Sequence, residues 1–237
     1  MIAAVGVVVP VHDEAELLPV CLSALERALV GLEPRIRRHA VIVLDACTDR
    51  SREVVHRWTR RVPCAELVEL DARNVGRARA AGARAALDRM ADTPLERTWL
   101  ATTDADSRVP ATWLADQLRL AAAGVEAIAG TIHVDDWSGH APGLRERFAR
   151  FYEPPGSGDH HDHVHGANLG VRGDAYVAAG GFAPVTTGED HALWNALAAR
   201  ARVATRRLPV VTSGRRAARA PAGFSGFLEA LAASGAG

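Results

Sequence analysis

The stretch WLATTDADSRVP, from Trp99 to Pro110, decides how the rest of the chain reads. It opens apolar, as a buried strand does, and closes on two aspartates, Asp104 and Asp106, with one small residue between them. Residues i and i+2 of a strand point to the same side, so the spacing predicts two carboxylates aimed at one spot. Pro110 then opens the next helix in its first turn. Like charges this close repel unless a cation lies between them, and magnesium is commonly held by one or two carboxylates together with substrate phosphates. One reading is an Asp-x-Asp clamp for a divalent metal carrying a nucleotide diphosphate. The other is a polar strand end with helix-capping aspartates, and the pattern alone does not separate them.

On the N-terminal side the same design recurs three times. Val5 to Val9 is a continuous apolar run that reads as a buried parallel strand ended by Pro10. The loop His12-Asp13-Glu14 follows, and Asp13 with Glu16 fits a capping box for a helix through about Leu29. Ala40 to Leu44 is a second strand ending at Asp45, before a helix capped by Thr48, Asp49 or Ser51. Ala65 to Leu70 is a third, ending at Asp71, and Asn74 caps a helix from about Val75 to Arg89. Beyond Pro110 come a helix from Ala111 to Ala123 and a strand from Ala127 to Val134. The alternation predicts an α/β, Rossmann-like, mostly parallel sheet with helices on both faces. Polar residues gather at the strand carboxyl ends (His12, Glu14, Asp45, Arg73, Asp104, Asp106), the edge where open α/β sheets bind ligands.

After Val134 the pattern changes. A helix is expected over Ala141 to Phe151, then a Gly/Pro/His-rich loop from Tyr152 to Val164 and a short strand in GANLGVR, Gly166 to Arg172. A helix from Asp174 to Ala179 stops at Gly180-Gly181. Another starts at Glu189-Asp190 and runs to about Ala199, and a last strand lies near Val203 to Arg206. From Ala222 a short helix and a frayed tail are expected.

Composition bounds the chemistry. The 237 residues suffice for one domain with a proper core, and the formal net charge of +0 carries no field for nucleic acid. No apolar run approaches the roughly 20 residues of a membrane span, and the apolar N-terminus lacks a basic leader. Cys21, Cys47 and Cys64 are scattered and odd in number, which points to reduced thiols in a cytoplasm. All 28 cations are arginine, so chemistry that needs a lysine, such as a P-loop or a Schiff base, is excluded.

Six stretches, in order, resemble the family-2 glycosyltransferases of the GT-A fold: VVVPVHDEAELL, VIVLDACTDRS, ARNVGRARAAGARAA, TTDADS, HGANLGVRGDAYVAAGGF and TGEDHALWNAL. The resemblance spans Val5 to Arg216 and implies one GT-A domain. About 1–106 would form the nucleotide-sugar half, about 107–221 the acceptor and catalytic half, and 222–237 a tail. It implies that Pro10, His12, Glu14 and Asp45 line the nucleoside pocket, with Arg73 and Arg77 near base and diphosphate. Asp104 would approach the ribose or sugar, and Asp106, with Asp104, would hold Mg2+ or Mn2+. Asp190 would be the general base with Glu189 beside it, and His165, Gly166 and Asn168 would floor the acceptor site. Arg215 and Arg216 would lie in a segment that closes over the diphosphate. Many such enzymes use a histidine downstream of the base as a further metal ligand. None follows His191 here, which leaves the metal to Asp106, diphosphate and water.

The implied reaction is transfer of a sugar from a nucleotide-diphosphate sugar to a hydroxyl of a small or lipid-linked acceptor. A single base opposite the leaving group implies inversion. Two other readings remain: a sugar-nucleotidyltransferase relative, which usually carries a Gly-rich loop and lysine that VPVHDEAELL lacks, and a non-catalytic nucleotide-sugar-binding protein. His160, His161, His163 and His165 suit either a transition-metal site or a solvated acceptor-site loop. Trp137 suits either sugar stacking or core packing.

Overall fold

The computed structural model describes residues 1–152, 158–215 and 224–233. The strands are β1 (Ala4–Val11), β2 (Arg37–Asp45), β3 (Ala65–Leu70), β4 (Thr98–Thr102), β5 (Ser107–Arg108), β6 (Ala127–Val134), β7 (Leu169–Arg172) and β8 (Val203–Thr212). The helices are α1 (Leu18–Val30), α2 (Ser51–Thr59), α3 (Val75–Arg89), α4 (Trp113–Ala122), α5 (Leu144–Tyr152), α6 (Gly173–Ala178), α7 (Glu189–Ala198) and α8 (Phe224–Ala233).

The two-residue period of a strand builds two cores from one sheet. On β1, Val5, Val7, Val9 and Val11 enter one core and Ala4 and Val8 the other; Ala40, Ile42 and Leu44 of β2 divide from Val41 and Val43 in the same way. Side chains of α1, α2 and α4 close the first core, and those of α3, α6 and α7 close the second. A third cluster joins Phe148 and Tyr152 of α5 to Leu228 of α8, with Phe224, Phe227 and Trp137 packed against it.

The sheet order is β3-β2-β1-β4-β7-β6-β8-β5. β7 is antiparallel to β4 and β6, and β5 to β8, so six strands share one direction. The mostly parallel sheet with helices on both faces is thus as the alternation predicts. The order is not readable from it: β7, late in the chain, separates β4 from β6.

Four local expectations are corrected. Pro10 does not end β1 but lies within it, opposite Val43 of β2. Its other neighbour β4 stops at Thr102, opposite Val8, so the missing Pro N–H faces no strand. Asp104 and Asp106 are not on β4; they follow it in a turn closed by Ser107 N donating to Asp104 O at 3.1 Å. The Asp13–Glu16 capping box does not form. The α1 N-cap is Leu17, and Asp13 Oδ1 instead accepts from Thr48 N and Asp49 N at 2.6 and 3.0 Å. Last, α4 begins at Trp113, three residues after Pro110.

Candidate active site

The carboxyl ends of β1, β2, β3 and β4 form one edge, and the turn after β4 lies on it. Asp106 keeps 16% of its side-chain surface and Asp104 38%. Burial, the Asp104 carboxylate and Glu14 push the pKa of Asp106 up to about 7, against the pull of Arg215. Arg215 donates both Nη atoms to the Glu14 carboxylate, Nη1 at 2.6 Å, and its Nη2 lies 3.1 Å from Asp106 Oδ2. The strap that carries Arg215 leaves the end of β8. It is tied by Ser107 Oγ to Thr212 Oγ1 at 3.0 Å and by the His140 ring to Gly214 O. A Cβ on Gly214 would overlap Asp136 O, so only glycine allows this approach.

A second arginine links the turn to α7. Arg79 of α3 is 2% exposed, and its Nε donates to Glu189 Oε1 at 3.0 Å while Nη1 reaches Thr102 Oγ1 and Nη2 reaches Asp104 Oδ1. Burial opposes its charge, but Asp104 and Glu189 outweigh that and raise its pKa. Glu189 is 5% exposed; burial raises its pKa and Arg79 opposes the rise. Phe182 of the Gly-Gly-Phe turn lies under the guanidinium, 5.9 Å from its ring centroid. A Cβ on Gly166 would overlap Arg79 Nη2.

The loops after the first three strands are held by carboxylates. Asp45 is buried, and it accepts from the N–H groups of Ala72, Arg73 and Asn74 at 2.6, 2.9 and 2.7 Å. Asn74 caps α3 by accepting from Arg77 N at 2.9 Å, as its position predicts. The ring of His12 bonds Asp45 O at 2.7 Å, and Arg73 and Arg77 are exposed. Asp13, Asp49 and Cys47 also lie close together. Those carboxylates accept from N–H groups of residues 15, 48, 49 and 51, which makes the group a loop staple.

On the other side, Asp190 Oδ2 accepts from Gly166 N at 2.7 Å and Oδ1 from His191 N at 2.8 Å. The Asn168 side chain is turned inward: it donates to Thr131 O and Leu208 O at 2.8 and 2.6 Å and accepts from Trp113 Nε1 at 2.9 Å. Burial drives the pKa of His165 down to about 4, and its Nε2 is buried without a hydrogen-bond partner. The histidine segment is packed. His161, His163 and His165 stack at centroid spacings of 5.9 and 6.2 Å, with Tyr152 3.9 Å from His163. His161 Nε2 and His163 Nε2 bond to Arg206 O and Tyr152 O at 3.0 and 2.9 Å, so these rings are committed to the backbone. Trp137 packs against Phe148 and donates to Val134 O at 3.0 Å.

The family model for glycosyl transferase family 2 matches residues 6–177. The chain belongs to glycosyl transferase family 2. Solved family-like structures share its GT-A fold. The mannosyltransferase PcManGT from Pyrobaculum calidifontis, in complex with GDP-Man and Mn2+, has a TM-score of 0.67 at 22% identity, over 96% of this chain and 68% of that one. S. aureus TarS 1–349 has 0.64 at 12%, over 89% and 60%, so this chain spans about 60% of that one's length. Glucosyl-3-phosphoglycerate synthase from Mycobacterium tuberculosis, with Mn2+, UDP-Glc and phosphoglyceric acid, has 0.57 at 14%, over 97% and 76%. No curated protein matches the chain in sequence.

This family 2 chain therefore brings Glu14, Asp104, Asp106 and Arg215 together, and through Arg79 it joins them to Glu189 and Asp190. Arg216 lies outside the described residues. The donor set suits a hard divalent cation. Four carboxyl groups (Glu14, Asp104, Asp106, Glu189) meet two guanidiniums (Arg79, Arg215) among the described residues, an excess of two acidic groups. Arg79 is the residue that sequence reading missed. Its signal was present, because it falls on the buried stripe Gly76, Arg79, Ala83, Ala86 of α3.

Proposed function

We propose that the chain transfers a sugar, with inversion, from a nucleotide-diphosphate sugar to an acceptor hydroxyl, with Asp190 as general base. The observation that carries this is the bridge Asp104–Arg79–Glu189, which ties the Asp-x-Asp turn to the first turn of α7, where Asp190 stands. About 1–106 would form the donor half and about 107–221 the acceptor half. Pro10, His12, Glu14 and Asp45 line the nucleoside pocket, Asp45 by shaping the 72–74 turn. Arg73, Arg77 and Arg215 meet the diphosphate with charge-assisted hydrogen bonds, and Asp104 approaches the ribose or sugar. Asp106 with Asp104 would hold Mg2+ or Mn2+, which when bound neutralises the leaving diphosphate as a Lewis acid.

Asp190 takes the proton of the attacking hydroxyl while Gly166 N–H holds its other oxygen. Gly166 and His165 flank the acceptor, and Asn168 anchors that segment from behind. Glu189, pinned by Arg79, sets the orientation of the helix start. The three free thiols suit a reducing cytoplasm, and among the described residues no helix is long and apolar enough to cross a membrane.

A thermal-shift screen of GDP- and UDP-sugars with Mg2+ or Mn2+ tests the reading. A donor at a hundredfold excess over its Kd stabilises by ~2.7 kcal/mol, roughly 5–10 °C for a domain of this size. Asp106→Ala should remove the metal-dependent part. If no nucleotide-sugar shifts the melt with either metal, the proposal is wrong. The anomeric configuration of a product, read by NMR, tests inversion.

A further inference from the structure

We propose that Arg215, bidentate on Glu14, is the resident cation of the acid turn, competing with the divalent metal for Asp106 until a diphosphate draws it away. This rests on the reading of that turn as a metal and diphosphate site. Arg215 Nη2 lies 3.1 Å from Asp106 Oδ2, and the same guanidinium is bidentate on Glu14. The fork therefore spans two of the carboxylates whose charge a metal would otherwise balance. Its place is built rather than incidental. The strap is clamped at Gly214 against the Asp136 backbone and at Thr212 by Ser107, and Arg215 N donates to Ser213 Oγ at 3.2 Å.

A guanidinium and a divalent ion cannot share the same carboxylate oxygens without strong repulsion. A metal arriving alone must displace Arg215 from Asp106 and sit beside its charge. A metal arriving with a diphosphate gives Arg215 new anionic oxygens to bind, bidentately if it leaves Glu14. Metal and diphosphate then bind cooperatively, and the coupling is reciprocal. The chain thus discriminates against bare metal and takes metal with substrate.

Calorimetry, or the loss of the free Mn2+ signal in electron paramagnetic resonance, tests this on the full chain with Mn2+ alone and with Mn2+ plus UDP or GDP. Arg215→Ala should bind Mn2+ alone about fivefold or more tightly than the parent chain, and Mn2+ should then raise diphosphate affinity by correspondingly less. Arg215→Gln, which keeps a polar side chain but not the charge, should show the same rise, and melting curves check that both variants fold. A purely structural arginine would give the opposite result, since its loss would loosen the turn and weaken Mn2+ binding. Unchanged or weaker Mn2+ binding in both folded variants, or no Mn2+ binding by any form, overturns the proposal. If the parent chain binds Mn2+ but neither diphosphate, the nucleotide-sugar reading fails while the Mn2+ comparison still decides the role of Arg215.

Discussion

Replacing Arg79 by methionine, which keeps most of the volume but none of the charge, tests whether the two halves of the site depend on one side chain. The mutation removes three hydrogen bonds with unequal consequences. Asp104 keeps 38% of its side-chain surface and can turn to water, so losing that pair costs no more than ~1 kcal/mol. Glu189 has only 6% of its side chain exposed and no such escape. Removing one member of a buried pair leaves an uncompensated charge and costs about 3–5 kcal/mol. With a typical reserve of about 5–15 kcal/mol, the variant should fold but melt roughly 6–20 °C lower.

The cause can be separated from cavity or packing effects by a double-mutant cycle in urea. Glu189→Gln placed in the Arg79→Met background removes the stranded charge, so it should restore about 2 kcal/mol or more. The same Glu189→Gln change in the parent chain should destabilise, because it breaks the pair. An Arg79→Met chain within 1 kcal/mol of the parent, or no recovery on adding Glu189→Gln, would rule out a stranded Glu189 charge.

Asp190→Asn should reduce transfer at least ~1000-fold while donor binding stays within a few fold, since the base contributes to the barrier and not to the diphosphate grip; equal turnover would remove Asp190 from its role. His165 gives a pH test. Its neutral ring is favoured in the fold, so between about pH 6.5 and 4 the unfolded chain holds more protons. Its contribution is therefore complete above pH 6.5 and is lost as the pH falls towards 4, by up to ~3 kcal/mol. His165→Gln should flatten that part of the stability profile, which urea titrations across pH 4–7 would measure, and an unchanged slope would exclude it.

What was legible in the sequence was what local physics decides. β3 and β6 start and stop where the strand pattern of the sequence places them, and Asn74 caps α3 as its side chain dictates. What escaped needed the third dimension. The two aspartates converge, but through a turn, because β4 leaves the ladder at Thr102 while β1 runs on to Val11. β5 has two residues and cannot leave a periodic trace. The histidines at 161, 163 and 165 do alternate as an extended segment does. That period, more than their number, was the clue to a packed stack rather than a solvated loop. The role of Asp45 was the hardest to read, since a carboxylate at a strand end looks the same whether it faces a ligand or, as here, holds the next loop.

That last case explains how a stable core produces an open edge. Among the described residues three non-glycine residues have positive φ, Asp13 at 52°, Ala46 at 53° and Arg73 at 47°. Each lies just past the end of a strand, after β1, β2 and β3 in turn. Left to itself, such a residue would relax, because the left-handed region disfavours side chains with a Cβ. Here the neighbours over-determine it. Asp45 fixes the backbone of residues 72–74, Asp13 fixes 48–49, and Ala46 N donates to Leu70 O at 2.8 Å. Each loop is thus held by a carboxylate or backbone group from the strand end beside it, so the strain of one turn is balanced by the rigidity of the next strand. The arrangement keeps the backbone turning away sharply at three successive strands. The exposed side chains of His12, Arg73 and Arg77 are thereby carried on a rigid rim, a geometry that an anionic donor can meet without first ordering the loops.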